Sequence, residues 1–214
     1  MERGISQLEM AKKLGISRPS YIAIEQGKRE LTLSEAEKLA NALGTDLEGI
    51  KKGLAPNAEK YKEMILAYLR VGSADGKITK TKLAKLLYLA DFAWFYEHLE
   101  SMSGMPYRKI QYGPVPDPYF RIIDELFDAG KIKIDQTDEG AMLISETRSA
   151  GREPLSSLSA GEKDLIKKIG EKWKTKRTQE IVEFTHKQLP YMVSNENEII
   201  PYEVITQEDP KFLY

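Results

Sequence analysis

Apolar positions in the first fifty residues fall into short helical stretches divided by tight punctuation. Leu8, Ala11 and Leu14 recur at helical spacing behind Ser6, a good N-cap, and Gly15 supplies the left-handed turn that ends the stretch. Ser17 then caps a second helix, Pro19 suits its first turn, Ile22 and Ile24 supply apolar contacts, and Gly27 stops it. Thr32 or Ser34 opens a third, with Ala36, Leu39, Ala40 and Leu43 on one stripe and Gly44 beyond its end. Leu47 and Ile50 fall in a last short helix.

A charged, then Gly- and Pro-containing stretch from Lys51 to Asn57 marks a boundary near residue 55. Beyond it the spacing predicts a helix from Ala58 to Arg70 and a longer one opened by Thr79 or Thr81. In the long helix Leu83, Leu86, Leu87, Ala90 and Trp94 form one face, while Leu89, Phe92, Ala93 and Tyr96 cover much of the other. Such a helix is central to a core or carries a second face for a partner. Asp91 lies inside this apolar run, so its carboxylate has to be hydrogen-bonded or paired to offset desolvation.

The prolines of Tyr112-Gly113-Pro114-Val115-Pro116 break the helical pattern and predict a rigid loop leading into a helix from Asp117 to Ala129. Lys131 to Asp135 and Ala141 to Ser145 alternate around QTDEG and read as a β-hairpin, a wing or a structural flap. Leu165, Ile166, Ile169 and Trp173 form the apolar face of an amphipathic helix whose lysines are solvated. A further helix from Thr178 to Gln188 ends at Pro190-Tyr191, and few helical signals follow Ser194. The expected fold class is mainly α: a small helix-turn-helix bundle, then a larger helical domain with a small β-hairpin. The limits expected are residues 1–53 for the first unit, 54–59 for a linker, 60–195 for the second unit and 196–214 for a tail.

Composition narrows the function. The 214 residues are 41% hydrophobic and 30% charged without low-complexity tracts, which fits a globular chain of two units. There is no cysteine, which removes disulfides, thiolate chemistry and cysteine-ligated zinc. The first residues hold no signal-peptide core and no apolar run approaches the roughly 20 residues that span a bilayer, so a cytoplasmic protein without membrane contact is expected. The net charge of −1 speaks against nonspecific coating of nucleic acid. From Lys12 to Arg29, however, Lys12, Lys13, Arg18, Lys28 and Arg29 stand against Glu25 alone, a local balance of +4. A specific DNA reader needs only such a local face.

Two short helices joined by a Gly-containing turn describe a helix-turn-helix, whose second helix presents its N-terminal residues to the major groove. On that geometry Gln7 contacts a phosphate, Arg18, Ser20 and Tyr21 point toward bases or backbone, and Lys28 and Arg29 grip adjacent phosphates. The segment ISQLEMAKKLGISRPSYIAIEQGKRELTLSEAEKLANALGTDLEGI resembles the Xre and phage-repressor family of DNA-binding domains. The family's domain begins with a further helix, whereas only Met1-Glu2-Arg3 precedes Gly4 here, so the resemblance implies a domain lacking its first helix. It also implies operator DNA as a partner and a homodimer reading half-sites about 34 Å apart.

A second resemblance rests on KLAKLLYLADFAWFY, YGPVPDPYF, LSAGEKDLI and THKQLPYM, in that order, which look like the Panacea or SocA-like antitoxin domain (DUF4065). Tyr191 stands where tryptophan is more usual. The resemblance implies the antitoxin of a type II toxin-antitoxin system, which binds and neutralises a protein toxin encoded nearby, with operon autoregulation through DNA. Carried onto this chain, the toxin-binding surface or its scaffold includes Lys85, Tyr88, Asp91, Tyr112, Gly113, Pro114, His186, Pro190 and Tyr191. Alternatives are a stand-alone helix-turn-helix transcriptional regulator and a proteolytic adaptor that delivers a toxin to a protease. Catalysis would rest on His186 or His98 with Asp91. With two histidines, no phosphate loop and no ligand cluster at metal spacing, the expectation is a non-enzyme without cofactor or metal. His98 reads as a polar cap at a helix end.

Overall fold

The computed structural model of the chain describes residues 6–25, 28–43, 56–73 and 75–214. The expectations placed on Met1 to Gly4, Gly27, Gly44, the short helix of Leu47 and Ile50, and most of the linker lie outside those residues. So does the side chain of Leu43.

Three helices open the described chain: α1 (Gln7–Leu14), α2 (Arg18–Glu25) and α3 (Leu33–Leu43). Ser6 caps α1 in a reciprocal box with Glu9, and Gly15, at φ 75°, closes it in the left-handed region that glycine adopts without strain. Met10, Ala11 and Leu14 are buried, with Ala40 from α3. Leu8, expected on that stripe, is 50% exposed, and Met10 takes its place, because the inward face, which keeps Ala11 and Leu14, is rotated by about 50° from the one the spacing suggested.

The larger body is built around α5 (Lys80–His98), which follows α4 (Ala58–Val71) and the short strand β1 (Lys77–Thr79). Thr79 is the N-cap, its Oγ1 accepting from the Lys82 amide. From Lys82 to Ala93 every residue of α5 is buried, so the two apolar faces read from the sequence meet one core from opposite sides. Trp94 and Tyr96, assigned to those faces, are half-buried at its rim.

The strands β2 (Tyr107–Arg108) and β3 (Val115–Pro116) pair antiparallel, so the expected rigid loop is the tip of a small hairpin. Helix α6 (Tyr119–Asp128) follows, then β4 (Ile132–Gln136) and β5 (Met142–Glu146). The expected hairpin of β4 and β5 is joined by β1 in the order β1-β5-β4, with Ile78 opposite Ile144 and Ile144 opposite Ile134. Pairing to β1 fastens the hairpin to the start of α5. After a 3-10 turn (Ala150–Arg152) come α7 (Ala160–Trp173), α8 (Thr178–His186) and α9 (Leu189–Val193). Pro190 begins α9 rather than ending α8, a position where its missing N–H costs nothing.

Residues 196–214, expected as a tail, enter the core instead. Ile200, Tyr202, Ile205 and Leu213 are buried in the same cluster as α5, partly through 3-10 turns at Tyr202–Gln207 and Pro210–Phe212. The segment reads weakly because short 3-10 turns leave no 3.6-residue stripe. It also holds the β2–β3 hairpin: Ile200 donates its amide to Tyr107 O at 2.7 Å, Lys109 donates to Glu198 O at 2.9 Å, and the Tyr202 hydroxyl donates to Met105 O at 2.8 Å. Arg108 forks onto Asp117 at 2.7 and 2.6 Å and donates to the Asn197 carbonyl.

Candidate functional site

Lys85 is the centre of the first constellation. It is fully buried, its Nζ donates to Pro114 O at 3.0 Å, and burial pulls its pKa down to about 7. Gly113, at φ 90°, lies so close that a Cβ there would be 2.8 Å from Lys85 Cε, 3.0 Å from His186 Nε2 and 3.1 Å from Lys85 Nζ. The hairpin tip therefore approaches α5 and α8 as only glycine permits. His186 stacks on Tyr191 with ring centroids 4.6 Å apart and planes at 4°, and Lys109 Nζ lies 4.6 Å over the other partner of that stack. The Tyr191 hydroxyl donates to Ile110 O at 2.9 Å, tying α9 to the hairpin. His186 Nε2 is buried without a hydrogen-bond partner among the described residues. Its pKa is lowered by burial, then by the charges of Lys85 and Lys109.

Of the nine residues expected at the partner surface or its scaffold, Lys85, Gly113, Pro114, His186 and Tyr191 thus converge, with Pro190 buried beside Tyr191. Tyr88 and Asp91 lie further along α5 in a separate polar-aromatic network. Asp91 accepts from Ser103 N at 2.6 Å, Ser103 Oγ at 2.5 Å and Tyr107 Oη at 2.7 Å, while burial raises its pKa to about 6. Tyr88 packs on Phe92 and, edge on, on Tyr107. Both are wholly buried and hold the hairpin from within. Tyr112 differs, being 66% exposed at the hairpin tip.

Beside Lys85 opens a groove of about 430 Å³ between the first turn of α5, the hairpin tip, α6 and the β4–β5 turn. Ala84, Val115 and Tyr119 line it, and Tyr112, Phe120 and Met142, all exposed, stand around it. Phe120 and Met142 were not singled out from the sequence, although a signal exists for Phe120. The stripe Tyr119, Ile122, Ile123 and Leu126 accounts for the buried face of α6 and leaves Phe120 outside it. Met142 carried no such signal. Lys82, another buried amine, caps α7 by donating to Trp173 O at 2.7 Å and Lys176 O at 2.6 Å. Its apolar neighbours in sequence hid that role.

On the N-terminal helices the expected DNA-contacting residues are largely engaged with one another. Gln7 Nε2 donates to Glu25 Oε2 at 2.8 Å, and Arg18 donates to Gln7 Oε1 at 3.3 Å, a bridge across α1 and α2. Ser20 Oγ lies 2.8 Å from Ser17 Oγ at the N-terminus of α2, and Tyr21 is half-buried. Arg29 is held at 2.7 Å by Glu35, which also closes a box with Thr32. Lys28 is exposed.

Residues 83–190, half of the chain, match the family profile described as the antitoxin SocA-like, Panacea domain. The chain belongs to that family. The Panacea match takes in Lys85 through Pro190 and stops one residue short of Tyr191. Residues 1–50 match a helix-turn-helix profile, so a helix-turn-helix domain precedes the Panacea domain. Two shorter relatives agree. An uncharacterized HTH-type transcriptional regulator of Methanocaldococcus jannaschii is 46% identical over 46 residues, 22% of this chain and 70% of its own. An SPbeta prophage-derived HTH-type transcriptional regulator of Bacillus subtilis is 31% identical over 96 residues, 45% of this chain and 89% of its own. No solved structure matches the chain. Neither family is an enzyme class. Among the described residues no helix is long and apolar enough to cross a membrane.

Proposed function

We propose that this Panacea protein is the antitoxin of a type II toxin-antitoxin system. Its Panacea domain binds and neutralises a co-encoded protein toxin, and its helix-turn-helix, as a cytoplasmic homodimer on operator DNA, ties that binding to transcription of the operon. The observation that carries this reading is the joining, in one chain, of a DNA-binding profile over residues 1–50 with an antitoxin-like profile over 83–190. The proposed units are residues 1–53, a linker at 54–59 and a partner-binding unit from 60 onward; the burial of Ile200, Tyr202, Ile205 and Leu213 supports including the last residues in it.

Within the DNA-binding unit Arg18, Ser20 and Tyr21 face bases or backbone and Lys28 holds a phosphate. Gln7 orients Arg18, and Arg29 braces the turn before α3 through Glu35. In the Panacea unit Tyr112 contacts the toxin, while Lys85, Gly113, Pro114, His186, Pro190 and Tyr191 shape the hairpin behind it and Tyr88 and Asp91 anchor that hairpin in the core. The names of both relatives favour a second reading, a stand-alone transcriptional regulator. Co-expression with the protein encoded next to it separates the two. Growth rescue with a co-purifying complex is expected; a harmless neighbour that does not bind overturns the antitoxin reading and leaves the regulator.

A further inference from the structure

The groove beside Lys85 has a chemical bias that narrows what it takes. It is lined by apolar side chains and by Lys80 and Lys85, without a carboxylate. Three of its apolar side chains come from three different elements and are open to solvent: Tyr112 at 66%, Phe120 at 52% and Met142 at 46%. Phe127 at 50% and Phe212 at 51% are as open but do not line the groove, whereas these three gather around it, and an apolar patch of that kind marks an interaction site.

Lys80 Nζ lies 4.9 Å over the Phe120 ring and makes no ion pair among the described residues. Lys85 backs the groove from within the core, fully buried, its Nζ donating to Pro114 O. Thr79, Thr81 and Thr178 add hydroxyls, and the N-terminal turn of the 19-residue α5 adds the positive end of its dipole. The acidic residues nearest in sequence to its lining, Asp117, Asp138, Glu139 and Glu180, do not line the groove. Apolar walls with one sign of charge fit a ligand that carries both a large apolar side chain and an anion. A volume of about 430 Å³ holds one or two such residues.

We propose that this groove seats a segment of the protein partner in which an Asp or Glu lies next to a large apolar side chain, the carboxylate meeting Lys80 at the N-terminal turn of α5 and the apolar group entering between Tyr112, Phe120 and Met142. This rests on the partner-binding reading above and deepens it by naming the chemistry of the recognised segment.

The test uses the full chain and a displayed library of random peptides as probe. Enrichment of peptides with Asp or Glu within two residues of Leu, Ile, Met, Phe or Trp is expected. A synthetic peptide of the enriched sequence should shift the methyl signal of Met142 in a methyl-labelled methionine spectrum, assigned through Met142→Leu. Lys80→Glu and Met142→Glu should each weaken its binding at least tenfold while leaving the melting temperature and near-ultraviolet dichroism unchanged. No enrichment, enrichment of basic peptides, or binding that survives both variants overturns the proposal. So does a concentration-dependent dimer that Lys80→Glu dissolves, since the occupant would then be a second copy. The same variants in the co-expression assay keep the two readings apart: rescue by the wild type and equally by Lys80→Glu overturns the groove alone. An enriched acidic-apolar peptide with no rescue by the wild type supports the groove and removes the toxin as its partner.

Discussion

Lys85 places a primary amine where no solvent reaches, and its pKa of about 7 follows from that burial. Below pH 7 folded and unfolded chains both carry the proton, and the cost of burying the charge is fully present. Between about 7 and the ordinary lysine value of 10.5 the unfolded chain still holds a proton that the folded chain has released, so stability rises with pH across that window. Lys85→Met removes this dependence. Urea unfolding of both proteins from pH 7 to 9.5 should show the wild type gaining on the variant by roughly 1.4 kcal/mol per pH unit. A constant difference would show that Lys85 is not buried as a titrating amine. Asp91 could be read as a buried carboxylate needing partners, but Ser103, Tyr107 and Tyr202, which surround its end of α5, lie 12 to 111 positions away and nothing in their spacing pairs them with it.

The β2–β3 hairpin depends on backbone closeness more than on any one side chain. At Gly113 a methyl group meets Lys85 and His186 within 3.1 Å at a φ of 90° that side chains rarely adopt. Gly113→Ala should therefore cost about 2 kcal/mol or more and lower the melting temperature, with loss of the His186–Tyr191 ring-stacking signature in the aromatic NMR region. At the N-terminal helices, neighbouring cations have unequal duties. Arg29 is held by Glu35 in the cap of α3, whereas Lys28 is exposed. On operator DNA Lys28→Ala should weaken binding uniformly and reduce the salt slope by about one, without changing stability. Arg29→Ala should act through folding of the helix-turn-helix, seen as lowered helicity before DNA is added. Equal effects on the salt slope would put Arg29 on a phosphate instead. The adjacency of Lys28 and Arg29 suggested one role for both; Glu35, six residues on, separates them.

Across the molecule, the last nineteen residues clasp the hairpin and complete the core. Deleting residues 196–214 uncovers Phe92, which stacks on Tyr202 at 4.3 Å, and removes the backbone partners of Tyr107 and Lys109. Burial of one such side chain contributes about 1.5 to 3 kcal/mol, so the loss of four is comparable to the whole stability margin of a typical domain. The truncated chain should lose its cooperative thermal transition by circular dichroism. A truncated protein with an unchanged transition would make the segment an appendage.

What the sequence determined by itself is what local chemistry controls. Ser6 and Thr79 cap their helices, Gly15 closes α1, apolar runs mark α4 through α8, and QTDEG turns the β4–β5 hairpin. Each depends on residues a few positions apart, where period and cap are visible in a linear chain. Tertiary structure alone decided the pairing of β1 with β5, the entry of residues 196–214 into the core, and the meeting of Lys80, Phe120 and Met142 around one groove. These join residues tens of positions apart, and the free energy that brings them together comes from burying a shared core, which no short window of sequence records.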